Sequence, residues 1–277
     1  MEKAAADTVV LIHGLFMTPL SWEHWVTHYE RRGLRVLTPG YPGIEPGEAG
    51  VAALRRDGSP LAGLGVREVF DHLASVIGTL DARPIIMGHS FGGLFAQLLL
   101  DAGYGSAGVS INGAAVKGVK ALPLSEIRAT FPVLRNPANR SRAVPMTEKE
   151  FRYAFTNNLT VAESKAVYDR YHVPAPGRFM FQGGLANLTP NAPTTYDFAN
   201  GDRAPLLFVA GGNDHILPPV VQRENYGRNA RQSSAITAYT LFDGRSHYTC
   251  GEPGWEEVAD AALDWALAPT PGELGRG

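Results

Sequence analysis

The residues best placed to do chemistry are Gly88-His89-Ser90-Phe91-Gly92-Gly93. They follow the short apolar run 84–87 and lead into a helical pattern that starts at Leu94. A serine at the tip of so tight a turn has its hydroxyl pushed clear of the backbone, and the glycines remove side chains where strand and helix crowd together. The amide that follows, that of Phe91, sits at a helix N-terminus, where unpaired N–H groups can hold an oxyanion. A serine hydroxyl is a poor nucleophile near neutral pH and needs a base within reach. His247, in the loop 243–248 ahead of the last helical run, is the candidate base and later acid, since imidazole titrates near neutrality. Asp214, in the turn after the apolar run 206–210, is the candidate carboxylate that orients it. The chain order is then Ser90, Asp214, His247, the order such a triad takes on a sheet of alternating strands and helices.

Neighbouring groups are assigned other parts. Asp243 reads as a turn residue ahead of Gly244, and Asp197 and Asp202 precede the late strand rather than follow it. Asn112, at the end of the strand before, carries no carboxylate. His13 is expected to shape its loop, His89 to pack or support, and Cys250 to be a buried thiol, because nothing near it suggests thiolate activation.

These side chains need a frame. Short apolar runs at 8–12, 34–38, 85–87, 107–111, 206–210 and 235–242 alternate with helical patterns at 21–32, 66–80, from 94, from 218 to about 227, and at 255–265. Ser21 is the expected cap of the first helix and Gly33 its end. Strands alternating with helices call for an α/β fold, a mostly parallel sheet flanked by helices on both faces. Ligands in such sheets bind beyond the carboxyl ends of the strands, where His13, Ser90, Asp214 and His247 all fall. The Gly- and Pro-rich stretch 39–65 reads as a long surface loop, and the tail 269–277 as disordered. Residues 115–200 break the rhythm. They offer helical patterns at 125–131, 147–156 and 161–171, many prolines and no strand–helix alternation.

The composition suits an ordinary globular chain of 277 residues, 44% apolar and 19% charged. A net charge of −2 gives no reason to expect nucleic acid or an anionic membrane as partner. One cysteine allows neither an intramolecular disulfide nor a cysteine-built zinc site. The apolar run after the short N-terminal stretch is too brief for a secretion signal and no run reaches membrane-spanning length, so a cytoplasmic protein, monomer or homodimer, is expected. No metal cluster, dinucleotide loop or phosphate loop stands out, and no cofactor is implied.

With His13-Gly14, Gly88-His89-Ser90-Phe91-Gly92, Asp214 and His247 in this order, the chain resembles the α/β-hydrolase family over roughly residues 8–267. The resemblance implies a core domain of 1–114 and 201–277 and an inserted helical cap of 115–200 above the site. It implies a second oxyanion donor, the backbone N–H of Leu15 or else Phe16, beside that of Phe91. The aromatic side chains of the cap and its border suggest an apolar pocket for a small-molecule substrate, with Phe16, Phe131, Phe155 and Phe181 as candidate contacts. The reaction expected is hydrolysis of a carboxylic ester or lactone through an acyl-serine intermediate. Relatives with similar residues also include C–C hydrolases, lyases, acyltransferases, perhydrolases, cofactor-free oxygenases and small-molecule receptors, so the fold does not by itself decide the reaction. A serine at position 90 argues against the dehalogenase and epoxide-hydrolase branches.

Overall fold

The structure, a computed structural model, describes residues 7–275. In chain order its elements are β1 (Thr8–Ile12), α1 (Glu23–Arg31), β2 (Arg35–Leu37), α2 (Gly47–Arg56), α3 (Val66–Gly78), β3 (Ile85–His89), α4 (Phe91–Asp101), β4 (Ala107–Ile111), α5 (Leu124–Leu134), β5 (Ala143–Val144), α6 (Glu148–Ala154), α7 (Val161–Tyr171), β6 (Ala175–Pro176), α8 (Gly177–Gly184), β7 (Leu206–Gly211), α9 (Pro219–Gln232), β8 (Thr237–Phe242), α10 (Trp255–Leu267) and β9 (Gly272–Glu273). Seven strands form one sheet in the order β2-β1-β3-β4-β7-β8-β9, and every neighbouring pair is parallel.

The apolar runs become central strands because alternate residues are buried on opposite faces. Val9, Leu11, Ile85, Met87, Val109 and Leu207 pack with Trp25 and Tyr29 of α1 and Val258 and Leu263 of α10. Val10, Ile12 and Ile86 pack on the other side with α3 and α4, while Leu206 and Phe208 share that face with Tyr226 of α9. The strand order reverses between β1 and β3, which opens a crevice at their carboxyl ends. Ser90 follows β3, Asp214 follows β7 and His247 follows β8, so three separate segments reach one edge of the sheet.

The structure corrects the sequence reading in several places. The stretch 39–65 is not all loop: α2 forms there because Val51 and Leu54 fall on one face and are buried with Leu61 and Val173. Thr18, not Ser21, accepts the capping bond at the start of the short 3-10 turn that leads into α1. Helix α9 runs through Gly227 to Gln232, since burial of Val221, Gln222, Asn225 and Asn229 outweighs the ~1 kcal/mol that a helical glycine costs. The tail is ordered as far as it is described: Leu274 N–H donates to the Tyr239 carbonyl at 2.8 Å, and Trp265 Nε1 to the Thr270 carbonyl at 2.9 Å. The last two residues lie outside the described ones.

Between β4 and β7 the chain adds no strand to the main sheet. It forms α5, α6, α7 and α8 with a two-residue antiparallel pair, β5–β6. Helices α6 and α7 each begin with a capping box, Thr147 with Glu150 and Thr160 with Glu163. Helix α8 escapes the sequence pattern because glycines stand at both of its ends, yet Phe179 and Met180 bury its inner face.

Candidate active site

Ser90 stands between β3 and α4 with φ 56° and ψ −121°, a conformation that costs a non-glycine residue roughly 1–3 kcal/mol. Close packing sustains it. Ser90 N–H donates to the Ile111 carbonyl at 3.0 Å, and the Ser90 carbonyl accepts from Gly93 at 2.9 Å and Ala114 at 2.8 Å. A Cβ on Gly92 would lie 2.0 Å from the Ile12 carbonyl oxygen, and one on Gly88 would lie 1.9 Å from that of Gly92. The turn can therefore be this tight only with glycine at both places.

Asp214 lies in the turn after β7 and divides its two oxygens. Oδ1 accepts from the backbone N–H groups of Ile216 at 2.7 Å and Leu217 at 2.9 Å, and Oδ2 lies 2.7 Å from His247 Nδ1. Neither side chain of this pair is exposed. The carboxylate accepts, so Nδ1 carries the proton and Nε2 is left as the basic nitrogen. Nε2 is buried and has no partner among the described residues, and no hydrogen bond joins it to the Ser90 hydroxyl. The imidazole packs edge-on against Phe155, with ring centroids 4.9 Å apart, and lies 4.6 Å from His89.

The loop that carries His247 is fastened from three sides. Glu252, buried, accepts from Ser246 N–H and bonds the Ser246 hydroxyl, which also lies 2.7 Å from the Phe155 carbonyl. Asn112 Nδ2 donates to the Ser246 carbonyl at 3.1 Å while its Oδ1 accepts from Gly211 N–H at 2.6 Å, joining the ends of β4 and β7 to the histidine loop. His89 Nε2 donates to the His247 carbonyl at 2.7 Å, and burial holds its imidazole neutral by pushing the pKa well down. His89 thus supports the backbone of His247. Glu252 went unnoticed in the sequence because it lies in a Gly/Pro-rich turn that reads as solvent-exposed.

Leu15 lines the same cavity as Ser90 and Phe91 follows Ser90 in the chain, and neither backbone N–H has an acceptor among the described residues. Phe16, at φ 64°, accepts from Val173 N–H at 3.0 Å. His13 is buried, donates from Nδ1 to the Gly14 carbonyl at 2.8 Å, and has its pKa lowered to about 4 by burial. His215 is occupied by the Tyr153 carbonyl at 2.8 Å. Asp243 sits in the turn closed by Arg245 N–H on the Phe242 carbonyl, and Asp197 accepts from Ala199 N–H at 2.8 Å. Cys250 is buried, and its thiol pKa is pushed well up by that burial.

A cavity of about 600 Å³ opens over Ser90. Phe16, Phe131 and Phe155 line it, together with Val119, Ile127 and Met180. Phe181 does not. It lies under the Arg140 guanidinium, 4.8 Å from the ring centroid, in a neighbouring depression. Its helix neighbour Phe179 is the aromatic residue that turns inward, onto Tyr41, Phe91 and Phe95. At the mouth Leu122, Phe131 and Leu188 are 64%, 56% and 82% exposed. One acidic side chain belongs to this apolar wall. Glu126 of α5 has Oε2 buried without a partner among the described residues, and burial, reinforced by the Asp214 charge, pushes its pKa up to about 8. In the sequence Glu126 looks like a solvated acid in the first turn of a helix, and no signal there marks it otherwise. Among the described residues no group of three or more His, Cys, Asp and Glu side chains could hold a metal, and no helix is long and apolar enough to cross a membrane.

The sequence model described as the alpha/beta hydrolase family matches residues 9–261. No curated protein matches the chain. Among solved structures, the monoacylglycerol lipase of Paleococcus ferrophilus is similar with a TM-score of 0.65 and 20% identity, covering 96% of each chain. A pyrethroid hydrolase from Sphingobium faniae JZ-2 is similar with a TM-score of 0.62 and 20% identity, over 95% of this chain and 98% of that one. A methylesterase from Arabidopsis is similar with a TM-score of 0.63 and 13% identity, over 94% of this chain and all of that one, 100%.

Proposed function

Because the chain belongs to the alpha/beta hydrolase family, we propose that it is a serine hydrolase that cleaves a carboxylic ester or lactone of a small to medium apolar substrate. The observation that carries this reading is the buried Asp214–His247 pair, which leaves a basic Nε2 unpartnered at the edge of the sheet where Ser90 is held in a strained turn.

In the first step His247 Nε2 takes the Ser90 proton as Ser90 Oγ bonds to the substrate carbonyl carbon. Asp214 stabilises the imidazolium so formed. The carbonyl oxygen becomes an oxyanion, and the Leu15 and Phe91 N–H groups, unpartnered among the described residues, supply its two donors. The tetrahedral intermediate then collapses: the bond to the leaving oxygen breaks, and His247 delivers its proton there. Water, deprotonated by the same nitrogen, attacks the acyl-serine; as the bond to Ser90 Oγ breaks and the acid leaves, His247 returns the proton to Ser90 Oγ. Residues 115–200 act as a cap, since α5 and α8 supply much of the cavity wall over the nucleophile. The apolar wall and mouth favour an apolar substrate.

The test is a fluorophosphonate reaction on intact protein, read by mass spectrometry for wild type and Ser90→Ala side by side. One adduct on wild type and none on the variant is expected. An unmodified, folded wild type would sink the reading.

A further inference from the structure

The geometry points to Glu126 as a specificity-determining residue: its carboxyl donates a hydrogen bond to an uncharged acceptor oxygen carried by the substrate away from the scissile ester. The substrate is then an apolar ester with one ether, hydroxyl or carbonyl oxygen in its chain rather than a plain hydrocarbon ester. This deepens the hydrolase reading and rests on it.

Three observations carry the assignment. Glu126 lines the same cavity as Ser90, among mostly apolar residues that include Val119, Ile127, Ala129 and Met180. Its Oε2 is buried and has no hydrogen-bond partner among the described residues, and an unpaired polar atom in such a wall is destabilising unless something that enters the cavity satisfies it. The third is the state of the group. Partial burial, with Oε2 out of reach of solvent, and the nearby Asp214 charge both favour the protonated form at neutral pH, with the pKa pushed up to about 8. A protonated carboxyl is a donor, whereas a carboxylate only accepts.

The surrounding charged groups do not alter that state. On and just after its own helix, Arg128 stacks on Tyr153 of α6 with 4.1 Å to the ring centroid, and Arg135 borders the cavity. Lys120 lines the cavity ahead of α5, and Glu224 of α9 bonds Arg228 and the Lys120 and Ala121 amides. After β7, His215 is bonded to the Tyr153 carbonyl and Asp214 to His247. Asp214 is the one charge that acts on Glu126, and it pushes in the same direction as burial.

The experiment measures binding, so that it does not depend on turnover. On Ser90→Ala protein, dissociation constants are compared for a series of esters in which one chain methylene is replaced by an ether oxygen at successive positions, each against its all-carbon isostere. The series is repeated in Ser90→Ala proteins that also carry Glu126→Gln or Glu126→Leu. At one ether position the Glu126 protein is expected to favour the ether over the isostere by ~10-fold relative to the Leu protein, the size of one buried hydrogen bond. The Gln protein, which keeps a donor, retains that preference. It fades above about pH 8 with Glu126 and is flat with pH in the Gln protein. An ether-to-isostere ratio that is the same in all three proteins at every position overturns the assignment. So does a preference for an ammonium-bearing analogue that grows through pH 8, which would make the ionised carboxylate the binding form. Fluorophosphonate labelling of wild type is run alongside: loss of that label alone condemns the hydrolase reading, and loss of the ether preference alone condemns the role of Glu126.

Discussion

His247 Nδ1 meets Asp214 Oδ2 at 2.7 Å with both side chains buried, and the other Asp214 oxygen is spent on the Ile216 and Leu217 amides. One carboxylate thus fixes its own turn and the tautomer of the histidine together. Asp214→Asn separates the two effects. Its amide oxygen still accepts from Ile216 and Leu217, while its NH₂ faces Nδ1 and forces the proton onto Nε2. The expected result is a kcat lower by ~10⁴-fold with a melting temperature close to wild type. Steady-state kinetics with a chromogenic ester and a thermal melt check it; wild-type kcat would remove Asp214 from the proposed triad.

Gly92→Ala tests the elbow. The added Cβ would lie 2.0 Å from the Ile12 carbonyl oxygen, which belongs to a central strand and cannot move aside. A loss on the order of 3 kcal/mol or more is expected. Urea unfolding of the two proteins measures it, and a midpoint shift worth under ~1 kcal/mol would mean that the turn is looser than the structure shows.

Glu252→Leu removes the buried carboxylate that bonds Ser246 N–H, the Ser246 hydroxyl and Asn158 Nδ2. The buried Ser246 N–H loses its acceptor, while the Ser246 hydroxyl keeps the Phe155 carbonyl and Asn158 Nδ2 the Gly244 carbonyl, so stability should fall by about 1–3 kcal/mol. Since Ser246 adjoins His247, kcat should fall more than KM rises. Equal kcat in a folded variant would show that the loop holds its shape without Glu252.

The contribution of the buried histidines to stability should weaken on mild acidification, against an opposite but single-proton contribution from Glu126. Burial holds His13 and His172 at pKa values of about 4, against 6.5 for a free imidazole. Between those values the unfolded chain takes up protons that the folded protein refuses. The stabilisation is therefore complete above pH 6.5 and drains away as pH falls toward 4. Each group contributes a slope of up to ~1.4 kcal/mol per pH unit. Urea midpoints measured across this range should show the decline. His172→Gln, whose amide oxygen can accept the Met146 N–H now bonded to Nε2 at 3.1 Å, should flatten it by about one proton. A slope unchanged in that variant would put the His172 proton elsewhere.

Local information was enough for six strands of the main sheet, β1 to β4, β7 and β8, and for the order of the candidate triad, but not for the two-residue strands β5, β6 and β9. Apolar runs such as 107–111 and 206–210 mark strands buried on both faces, and the glycines around Ser90 announce a turn that no larger residue can make. Helix α2 was not legible, because its two glycines and the flanking prolines mask a two-residue apolar contact with Leu61 and Val173 that exists only once α7 and the segment after it have folded over it.

The amino-acid sequence by itself determined which groups are candidates to react and in what order they follow along the chain, since residue type, glycine spacing and strand patterning are properties of short segments. Only the tertiary structure decided what surrounds each group. Asn112 joins three loops, Glu252 braces the histidine, Phe179 rather than Phe181 turns inward, and Glu126 lies unpartnered in the wall over Ser90. Burial and hydrogen-bond partners are set by residues far away in the chain, and no local pattern encodes them.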